Sequence, residues 1–565
     1  MAQNWQSLAA DKRRRQQECI PKDWLISVPS DTVLDVRDVP EKCGLLTRRE
    51  LEITNTTDVA VLLKKLATSE WSSVEVTTAF YKRAIIAHQL VNCLTEIFVE
   101  RALARAAELD KYLKETGKIV GLLHGLPISL KDQICMKGLE TTMGYVSWIG
   151  KYADHDAALV EILYASGAVP FVRTNVPQTL MWPETFNNIF GRTTNPANRS
   201  LTSGGSSGGE GALIALKGSP LGVGSDIGGS IRIPSGFNGV YGLRTSYGRV
   251  PYQGCVNSME GQDSVPSVLG PISNSLSGIK AFMQAVIQQQ PWLKDPLAVR
   301  KKWDEGAYAL SEHGGGKQLC FAIMWNDGVV VPHPPVTRAL EMTKNALLPA
   351  GHRVVDWHPF KHADLNRTLS AIWNAGASQD YKIVTAATGE PVVSTMSPVE
   401  EVIAKGIFRP DDDGLPAYQL WRVQKLRAGL RKEYLDHWQK TAEVTGTGRP
   451  VDAIISPCAP YAAPPHGANK NTSYTMVWNT LDYVACVFPV TRVNPELDGI
   501  KPEHKFLSKA DKTNHGIYDP ATFQNAPVAL QLVGRSLEEE AVIAMTEIVD
   551  AALKGKPSGT KPSKL

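Results

Sequence analysis

Residues 204–211 read GGSSGGEG and residues 225–234 read SDIGGSIRIP, two glycine- and serine-rich stretches joined by the mostly apolar run ALIALKGSPLGVG. Glycines beside serines allow backbone conformations that are closed to other residues and leave N–H groups accessible to a ligand. The apolar residues between them have to be buried, unlike those of a solvated linker. We therefore predict that residues 189–270 form loops packed inside the protein around a functional site.

Ser230 has the surroundings of an acyl-transfer nucleophile. The amides of 227–229 precede it, and successive amides directed towards one point form an oxyanion hole. A nucleophilic serine also needs a base within hydrogen-bond reach. The apolar run GLPISL at 125–130 ends at Lys131, where burial would lower the amine's pKa and leave it neutral. Ser206 is then available as an intermediate hydroxyl between Ser230 and Lys131.

These residues resemble the amidase signature family. Its diagnostic pattern is a GGSSGG loop followed at this distance by DIGGSIRxP, with a lysine in an earlier PxxxKD segment, and all three are present. The similarity continues through LHGLPISLKDQ, NVPQTLMWPETFNNIFGRTTNP and APVALQLVGR, and it points to the fungal acetamidase branch. Residues 181–185 read MWPET where that branch usually has MWGET, so this stretch is where substrate choice is expected to differ.

The resemblance implies a role for each motif residue. Ser230 would be the acyl-enzyme nucleophile, Ser206 the bridging serine after a non-proline cis peptide, and Lys131 the general base. The residues implied as supports of the nucleophile loop are Ser207, Asp226 and Arg232. The residues implied to contact substrate are Met181, through its carbonyl, and Ser206, Ile227, Gly228, Gly229 and Ser230. No metal or other cofactor is implied.

Helical periodicity alternates with short apolar runs along the chain, which is typical of an α/β protein. The predicted helices are 58–69, 73–88, 97–115, 156–167, 335–349, 363–388, 417–442, 476–487 and 537–553. The predicted strands are 169–172, 320–325, 352–357, 451–457 and 527–534. The resemblance implies one amidase signature domain over 1–560, a single large mixed β-sheet core surrounded by α-helices. A helical region of about 1–90 would pack on it, and 555–565 would be a flexible tail.

The composition excludes several classes of protein. The chain has 565 residues, 43% hydrophobic and 21% charged, and a net charge of +3 that is too small to gather nucleic acid or an anionic membrane. Its eight cysteines show no CxxC spacing, which indicates reduced thiols and gives no zinc signature. No apolar segment approaches the length of a membrane span, so we expect no integral membrane anchor.

The last residues, SGTKPSKL, contain an address signal. Ser563-Lys564-Leu565 matches the tripeptide that a peroxisomal import receptor reads. We therefore expect a peroxisomal location, and a cytoplasmic one if the tripeptide is not used. The expected partners are a small amide substrate, water, this receptor and a second copy of the chain in a homodimer, without nucleic acid.

The glycine-rich stretch has a competing interpretation. Residues 205–209 also satisfy the G-x-S-x-G pattern of an α/β-hydrolase nucleophile elbow. That motif requires a strand directly before it, whereas NPANRSLTS is typical of a polar turn. The amidase interpretation is therefore favoured.

Other chemically capable residues have structural interpretations. His352, His358 and His362 lack HExxH order and are assigned to packing or to the surface. Cys135, close to Lys131, is assigned to a small buried hydrophobe. Two aromatic pairs are left open between the wall of an acyl pocket and core filling: Trp182 with Phe186, and Trp478 with Tyr483.

The sequence thus predicts hydrolysis of a small, acetamide-like aliphatic amide to a carboxylic acid and ammonia through an acyl-enzyme. The same triad would also serve an aryl-acylamidase, a carbamate hydrolase or a fatty-acid-amide hydrolase. The alternative from a different class is a catalytically silent binding subunit. The presence of Ser230, Ser206 and Lys131 together argues against that alternative.

Overall fold

The computed structural model describes residues 4–393 and 414–555. Within these ranges a mixed sheet of 11 strands is surrounded by helices, so the predicted α/β class with one large mixed sheet is confirmed. The tripeptide Ser563-Lys564-Leu565 and most of the predicted tail lie outside the described residues, and peroxisomal import stays a prediction.

The strands are β1 (Leu94–Ile97), β2 (Pro127–Lys131), β3 (Val169–Thr174), β4 (Phe186–Asn187), β5 (Gly191–Arg192), β6 (Thr194–Asn195), β7 (Asn198–Thr202), β8 (Leu221–Asp226), β9 (Tyr241–Arg244), β10 (Val268–Ser273), β11 (Cys320–Ile323), β12 (Arg353–Asp356), β13 (Ala453–Pro457), β14 (Ala485–Arg492) and β15 (Pro527–Val533). The large sheet has the order β1-β3-β2-β8-β10-β9-β14-β15-β13-β11-β12, and β4-β5 and β6-β7 form separate two-stranded sheets.

The helices are α1 (Trp5–Glu18), α2 (Val39–Lys42), α3 (Arg48–Asn55), α4 (Val59–Ala67), α5 (Ser73–Val91), α6 (Val99–Thr116), α7 (Ala158–Ala165), α8 (Gly208–Ala215), α9 (Arg232–Asn238), α10 (Leu276–Gln288), α11 (Glu305–Tyr308), α12 (Pro334–Leu347), α13 (His362–Asn374), α14 (Ala377–Ala386), α15 (Ala417–Lys440), α16 (Ala442–Thr445), α17 (Ser473–Leu481), α18 (Lys509–Gly516) and α19 (Glu539–Leu553). Short 3-10 helices lie at Lys22–Trp24, Val146–Trp148, Pro291–Leu293 and Ser311–Gly316.

Strand β2 carries the predicted base into the middle of one half of the sheet. It is buried along its whole length and pairs in parallel with β3 on one side and β8 on the other. A strand with parallel neighbours and helices on both faces is expected to be mostly apolar, and Pro127, Ile128 and Leu130 follow that pattern. The polar exceptions in β2 are Ser129 and Lys131, the latter at the carboxyl end of the strand.

The prediction of loops over 189–270 is wrong in its secondary structure, although the segment is buried as expected. It contains β8, β9, α8, α9 and the start of β10. Several of its glycines lie within helices and strands, where neighbouring side chains occupy the space that a larger residue would need. A Cβ at Gly224 of β8, for example, would lie 2.8 Å from Ser207 Oγ. High glycine content here reflects close packing against strands.

One predicted helix boundary and one predicted turn segment also differ from the structure. The predicted helix 476–487 ends earlier, because Asp482 after α17 has a left-handed φ of 63° and the chain then enters β14. The segment before the GGSS loop is the short strand β7, which pairs with β6 in a small sheet outside the 11-stranded sheet and so does not provide the central strand of a nucleophile elbow. By contrast, α5 begins as predicted, with the Ser72 side chain accepting from the Glu75 amide at 3.0 Å.

The aromatic pairs left open by the sequence separate in the structure. Trp478 and Tyr483 belong to a buried cluster with Tyr434 and Trp438, so they fill core. Trp182 and Phe186 belong to another cluster that includes Met181.

Of the other chemically capable residues of the sequence, His358 is exposed, whereas His352, His362 and Cys135 are packed in the protein. His362 is buried against Tyr434, and His352 accepts from the Leu319 amide. Cys135 is buried, and burial raises the pKa of its thiol. The described helices include none that is long and apolar enough to cross a membrane.

Candidate active site

Lys131 and Ser206 are buried and are hydrogen-bonded to each other. Lys131 Nζ lies 2.6 Å from Ser206 Oγ and 2.8 Å from Ser225 Oγ. Burial lowers the pKa of Lys131 from 10.5 to about 7, although the charges of Asp226 and Glu210 act in the opposite direction. The amine can therefore be neutral near neutral pH, which is the state that accepts a proton from a hydroxyl.

Ser206 follows a cis peptide bond between Gly205 and Ser206. Ser206 is 1% exposed and Ser230 is 8% exposed, so of the two residues Ser230 is the more accessible to a substrate. Their loops are joined by the backbone, where the Ser207 amide donates to the Ser230 carbonyl oxygen at 3.2 Å. The hydroxyls of Ser206 and Ser230 are not hydrogen-bonded to each other in this structure.

The loop that presents Ser230 is held by Asp226. This carboxylate accepts from the amides of Gly229 at 2.8 Å and of Ile231 at 3.2 Å, on either side of Ser230. Arg232 donates to both of its oxygens, each at 3.0 Å. Burial would raise the pKa of Asp226, but the Arg232 charge and its hydrogen bonds lower that pKa to about 2. Asp226 therefore stays ionised and fixes the loop.

The predicted oxyanion amides divide into two groups. The amides of Ile227, Gly228 and Ser230 make no hydrogen bond to any residue of 4–393 or 414–555. The Gly229 amide instead donates to Asp226, so in this structure it braces the loop and is not free for an oxyanion. A carboxylate three residues earlier thus competes for this N–H, and the role of Gly229 in the oxyanion hole stays a prediction.

Ser207 lies behind the catalytic loop. Its hydroxyl is within 3.3 Å of the Ser225 amide nitrogen and 3.4 Å of the Ser225 carbonyl oxygen, and the residue is fully buried. It thereby ties the start of α8 to β8. As the central serine of the alternative G-x-S-x-G pattern, Ser207 is inaccessible to substrate.

Residues 75–543 match the family model described as Amidase. The chain belongs to the amidase family. An acetamidase of Aspergillus oryzae is 44% identical over 553 residues, which cover 97% of this chain and 99% of that protein. An acetamidase of Emericella nidulans is 43% identical over 557 residues, which cover 98% of this chain and 99% of that protein. The resemblance drawn from the sequence motifs is confirmed.

A solved fatty acid amide hydrolase superimposes on this amidase with a TM-score of 0.88 at 34% identity, covering 97% of this chain and 95% of that chain. The predicted amidase signature fold is thereby confirmed as well. Family and relatives together make this protein a hydrolase that acts on amides.

Ser225 is a site residue of this amidase that the sequence did not single out. It contacts Lys131 through its hydroxyl, and the same hydroxyl donates to Gln133 Oε1. Both Ser225 and Gln133 stand next to motif residues in the sequence, which is the signal that would have found them. Ser225 is the one that contacts the amine, from β8.

Glu184 clamps the MWPET segment of this amidase. Its carboxylate accepts from the amides of Gly467 and Asn469 at 3.0 Å and from Arg192 at 3.2 Å. Burial nevertheless raises the pKa of Glu184 to about 7. The Met181 amide donates to Thr179 Oγ1 at 3.1 Å, and the predicted contact of the Met181 carbonyl with the leaving amide stays a prediction.

The clamped segment lies against the catalytic loop. The Trp182 carbonyl oxygen and the Glu184 amide nitrogen would each be 2.6 Å from a Cβ at Gly205, the residue before Ser206. The segment in which this chain departs from the usual acetamidase pattern is thus in contact with the Gly205-Ser206 peptide.

Trp373 of α13 reaches the oxyanion loop from a distant part of the sequence. A Cβ at Gly228 would lie 2.6 Å from Trp373 Cη2 and 3.6 Å from Met476 Cγ. Trp373 is half-buried and packs beside the cluster of Val265, Leu369, Ile372 and Met476. No pattern in the sequence connected this side chain with the site.

Proposed function

We propose that this amidase hydrolyses a small aliphatic amide, acetamide being the model substrate, to a carboxylic acid and ammonia. Ser230 is the nucleophile, Ser206 the bridging hydroxyl and Lys131 the base. The observation that carries the proposal is the fully buried Lys131 amine, 2.6 Å from Ser206 Oγ and with a pKa near 7. A lysine in that state is suited to proton transfer, because its pKa is close to the working pH.

The chemistry proceeds in two halves. Ser230 Oγ attacks the amide carbon while its proton moves to Ser206 Oγ, whose own proton moves to Lys131 Nζ. The relay then protonates the leaving nitrogen, the C–N bond breaks and ammonia departs. Water attacks the acyl-enzyme through the same relay and releases the carboxylic acid. The Ser230–Ser206 hydrogen bond is expected to form when substrate binds, since catalytic hydrogen bonds are often long or unformed without substrate.

The tetrahedral oxyanion is stabilised by backbone amides. Those of Ile227, Gly228 and Ser230 are unengaged within the described residues, and Asp226 holds the loop that presents them. Preorganised donors of this kind are worth about 10²–10³ in rate each in acyl-transfer enzymes.

The position of Trp373 supports the proposal that the acyl group is small. Its ring contacts the loop at Gly228 and so limits the space beside the oxyanion site on that side. The names of the two acetamidases support the same substrate class. The solved relative is called a fatty acid amide hydrolase, and a longer acyl chain is therefore the second candidate. Aryl acylamides, carbamate esters and a silent binding role stay predictions without a supporting contact, as does the homodimer.

Ammonia or amine release from a graded panel tests the proposal: acetamide, hexanamide, an anilide and ethyl carbamate. Acetamide should be hydrolysed, and Ser230→Ala, Ser206→Ala and Lys131→Met should each lose about 10³-fold or more of kcat. Lys512→Met, an exposed lysine on α18, is the matched control and should keep full activity. Turnover that survives in Ser230→Ala and Lys131→Met would contradict the assigned mechanism. Turnover confined to hexanamide would replace acetamide by the longer class.

A further inference from the structure

Glu210 is a buried carboxyl group that the proposed mechanism does not use. It lies in the first turn of α8, just after the serine loop, and is fully buried. The Ser129 hydroxyl lies 2.7 Å from its Oε2 and the Thr174 hydroxyl lies 3.0 Å from its Oε1. Both partners are hydroxyls, which can donate to a carboxylate or accept from a carboxylic acid.

These contacts place the carboxyl beside Lys131. Ser129 and Lys131 are two positions apart on β2 and so share one face of the sheet. Thr174 is the register partner of Lys131 across the parallel β2–β3 pair. Glu210 therefore joins the helix of the serine loop to the two strand positions that flank the amine.

The neighbouring strand leaves room for this carboxyl. Gly222 of β8 is the register partner of Ser129, and a Cβ at Gly222 would collide with Glu210 Oε2. Any larger residue at that point would displace the acid. Residues of β2, β3 and β8 thus surround the Glu210 carboxyl group together.

The surroundings favour the uncharged form of Glu210. In contrast to Asp226, which has Arg232 and two amides, Glu210 makes no ion pair within the described part of the chain. The ionisable groups that act on it or on Lys131 are Lys131 itself, Asp226 at the end of β8 and the Cys93 thiol before β1. A buried carboxylate without a paired cation is costly and normally takes up a proton.

The titration of the two groups agrees with this geometry. Burial raises the pKa of Glu210 to about 8 and lowers that of Lys131 to about 7. Burial therefore acts on both groups in the same direction, towards the uncharged carboxylic acid and the uncharged amine.

We propose that Glu210 is a positioning residue that acts as a neutral carboxylic acid, holding β2, β3 and α8 around Lys131 while leaving the amine unprotonated. The inference rests on the proposed function, because it concerns the protonation state of the proposed base. If the two groups formed an ammonium–carboxylate pair, Lys131 would carry the proton. The proposal adds that Glu210 carries it instead.

A spectroscopic experiment tests the proton without using activity. The infrared difference spectrum between the wild-type protein and Glu210→Gln should contain the carbonyl band of a protonated carboxylic acid at pH 7. The band should shift in heavy water and fade as the pH rises through about 8. Absence of this band, with a carboxylate band in its place, would overturn the proposal whatever the enzyme hydrolyses.

Kinetics test the consequence for Lys131. Glu210→Gln keeps the shape, the hydrogen bonds and the neutrality, so the pH at which kcat/KM rises should stay where it is in the wild type. A shift of that rise to lower pH by about one unit or more would overturn the proposal, because it would mean that an anion had been removed from beside the amine.

The positioning role is tested by comparing two substitutions. Glu210→Ala, which loses both hydroxyl contacts, should lower kcat about 100-fold. Glu210→Gln should recover most of that loss. Equal damage from the two substitutions would contradict positioning by a neutral group. Inactivity of the wild type on every amide of the panel would count against the proposed function and leave the infrared result standing.

Discussion

Ser225 Oγ lies 2.8 Å from Lys131 Nζ, on the strand that ends at the next residue, Asp226. The same hydroxyl gives its proton to Gln133, so it presents a lone pair to the amine. Ser225 thereby fixes the direction of the amine that lies beside Ser206. It also connects the strand of the base with the strand that leads to the nucleophile.

Ser225→Ala should lower kcat about 10–100-fold, because the amine loses one of the two contacts that orient it. It should also move the rise of kcat/KM to lower pH, since an acceptor that stabilises the ammonium form is removed. Both quantities follow from acetamide hydrolysis measured over a pH series. Thr513→Ala, which removes an exposed hydroxyl bonded within its own helix, is the control. An unchanged rate and pH profile in Ser225→Ala would show that Ser206 alone orients the amine.

The wild-type pH profile should reflect the buried amine. Burial lowers the pKa of Lys131 to about 7, and only the neutral amine accepts a proton. The value of kcat/KM should therefore rise about tenfold per pH unit below about 7 and level off above it. A profile that is flat from about pH 6 to 9 would be evidence against Lys131 as the base.

Asp226→Asn should destabilise the protein by about 3 kcal/mol or more, because it leaves Arg232 buried without its counter-charge. Urea denaturation measures the difference. Asp436→Asn, which breaks an exposed pair with Lys432, should change the free energy of unfolding by only about 0.5 kcal/mol. Similar small losses in both variants would mean that the buried pair does not hold the loop.

The acid stability of the protein should depend on the same group. The pKa of Asp226 falls from 3.8 in the unfolded chain to about 2 in the fold, so its contribution is complete above about pH 4 and is lost as the pH falls towards 2. In Asp226→Asn, unfolding should depend less on pH across that window. Acid-unfolding transitions that are equally steep in the wild type and in Asp226→Asn would refute this expectation.

Trp373→Ala should widen the acyl side of the site. The ratio of hexanamide to acetamide hydrolysis should rise about tenfold or more, since the added methylenes gain the space that the indole vacates. Trp421→Ala, which removes an exposed tryptophan from α15, should leave the ratio unchanged. A ratio that stays constant in Trp373→Ala would place the acyl chain elsewhere.

The three residues of the proposed triad could be proposed from the sequence because each lies in a short contiguous pattern. Lys131 ends a buried strand, and Ser206 and Ser230 lie in glycine-rich turns beside elements that the structure brings together. The chemistry limits which residue types can serve in these patterns. The alternation of helices and strands likewise indicated the α/β class.

The remaining features depend on the order of strands in the sheet. Strand β8 was missed because its glycines, which accommodate Ser207 and Glu210, resemble turn residues, and β9 was missed because its glycine, which accommodates Ser235, does too. Trp373 reaches Gly228 only because α13 packs against α17 near the catalytic loop. The hydrogen bond from the Gly229 amide to Asp226 could not be predicted from the sequence, because it depends on the geometry of the turn between the two residues.

The brace of the catalytic loop also has a consequence for synthesis. Arg232 donates to Gln531 on β15, 299 residues later in the chain, and β15 is inserted between β13 and β14. A ribosome therefore completes the segment that carries Ser230 long before it makes the strand that supports this segment. During most of translation the nascent chain carries Ser230 without this support, so hydrolytic competence arises only after β15 has emerged and closed the sheet.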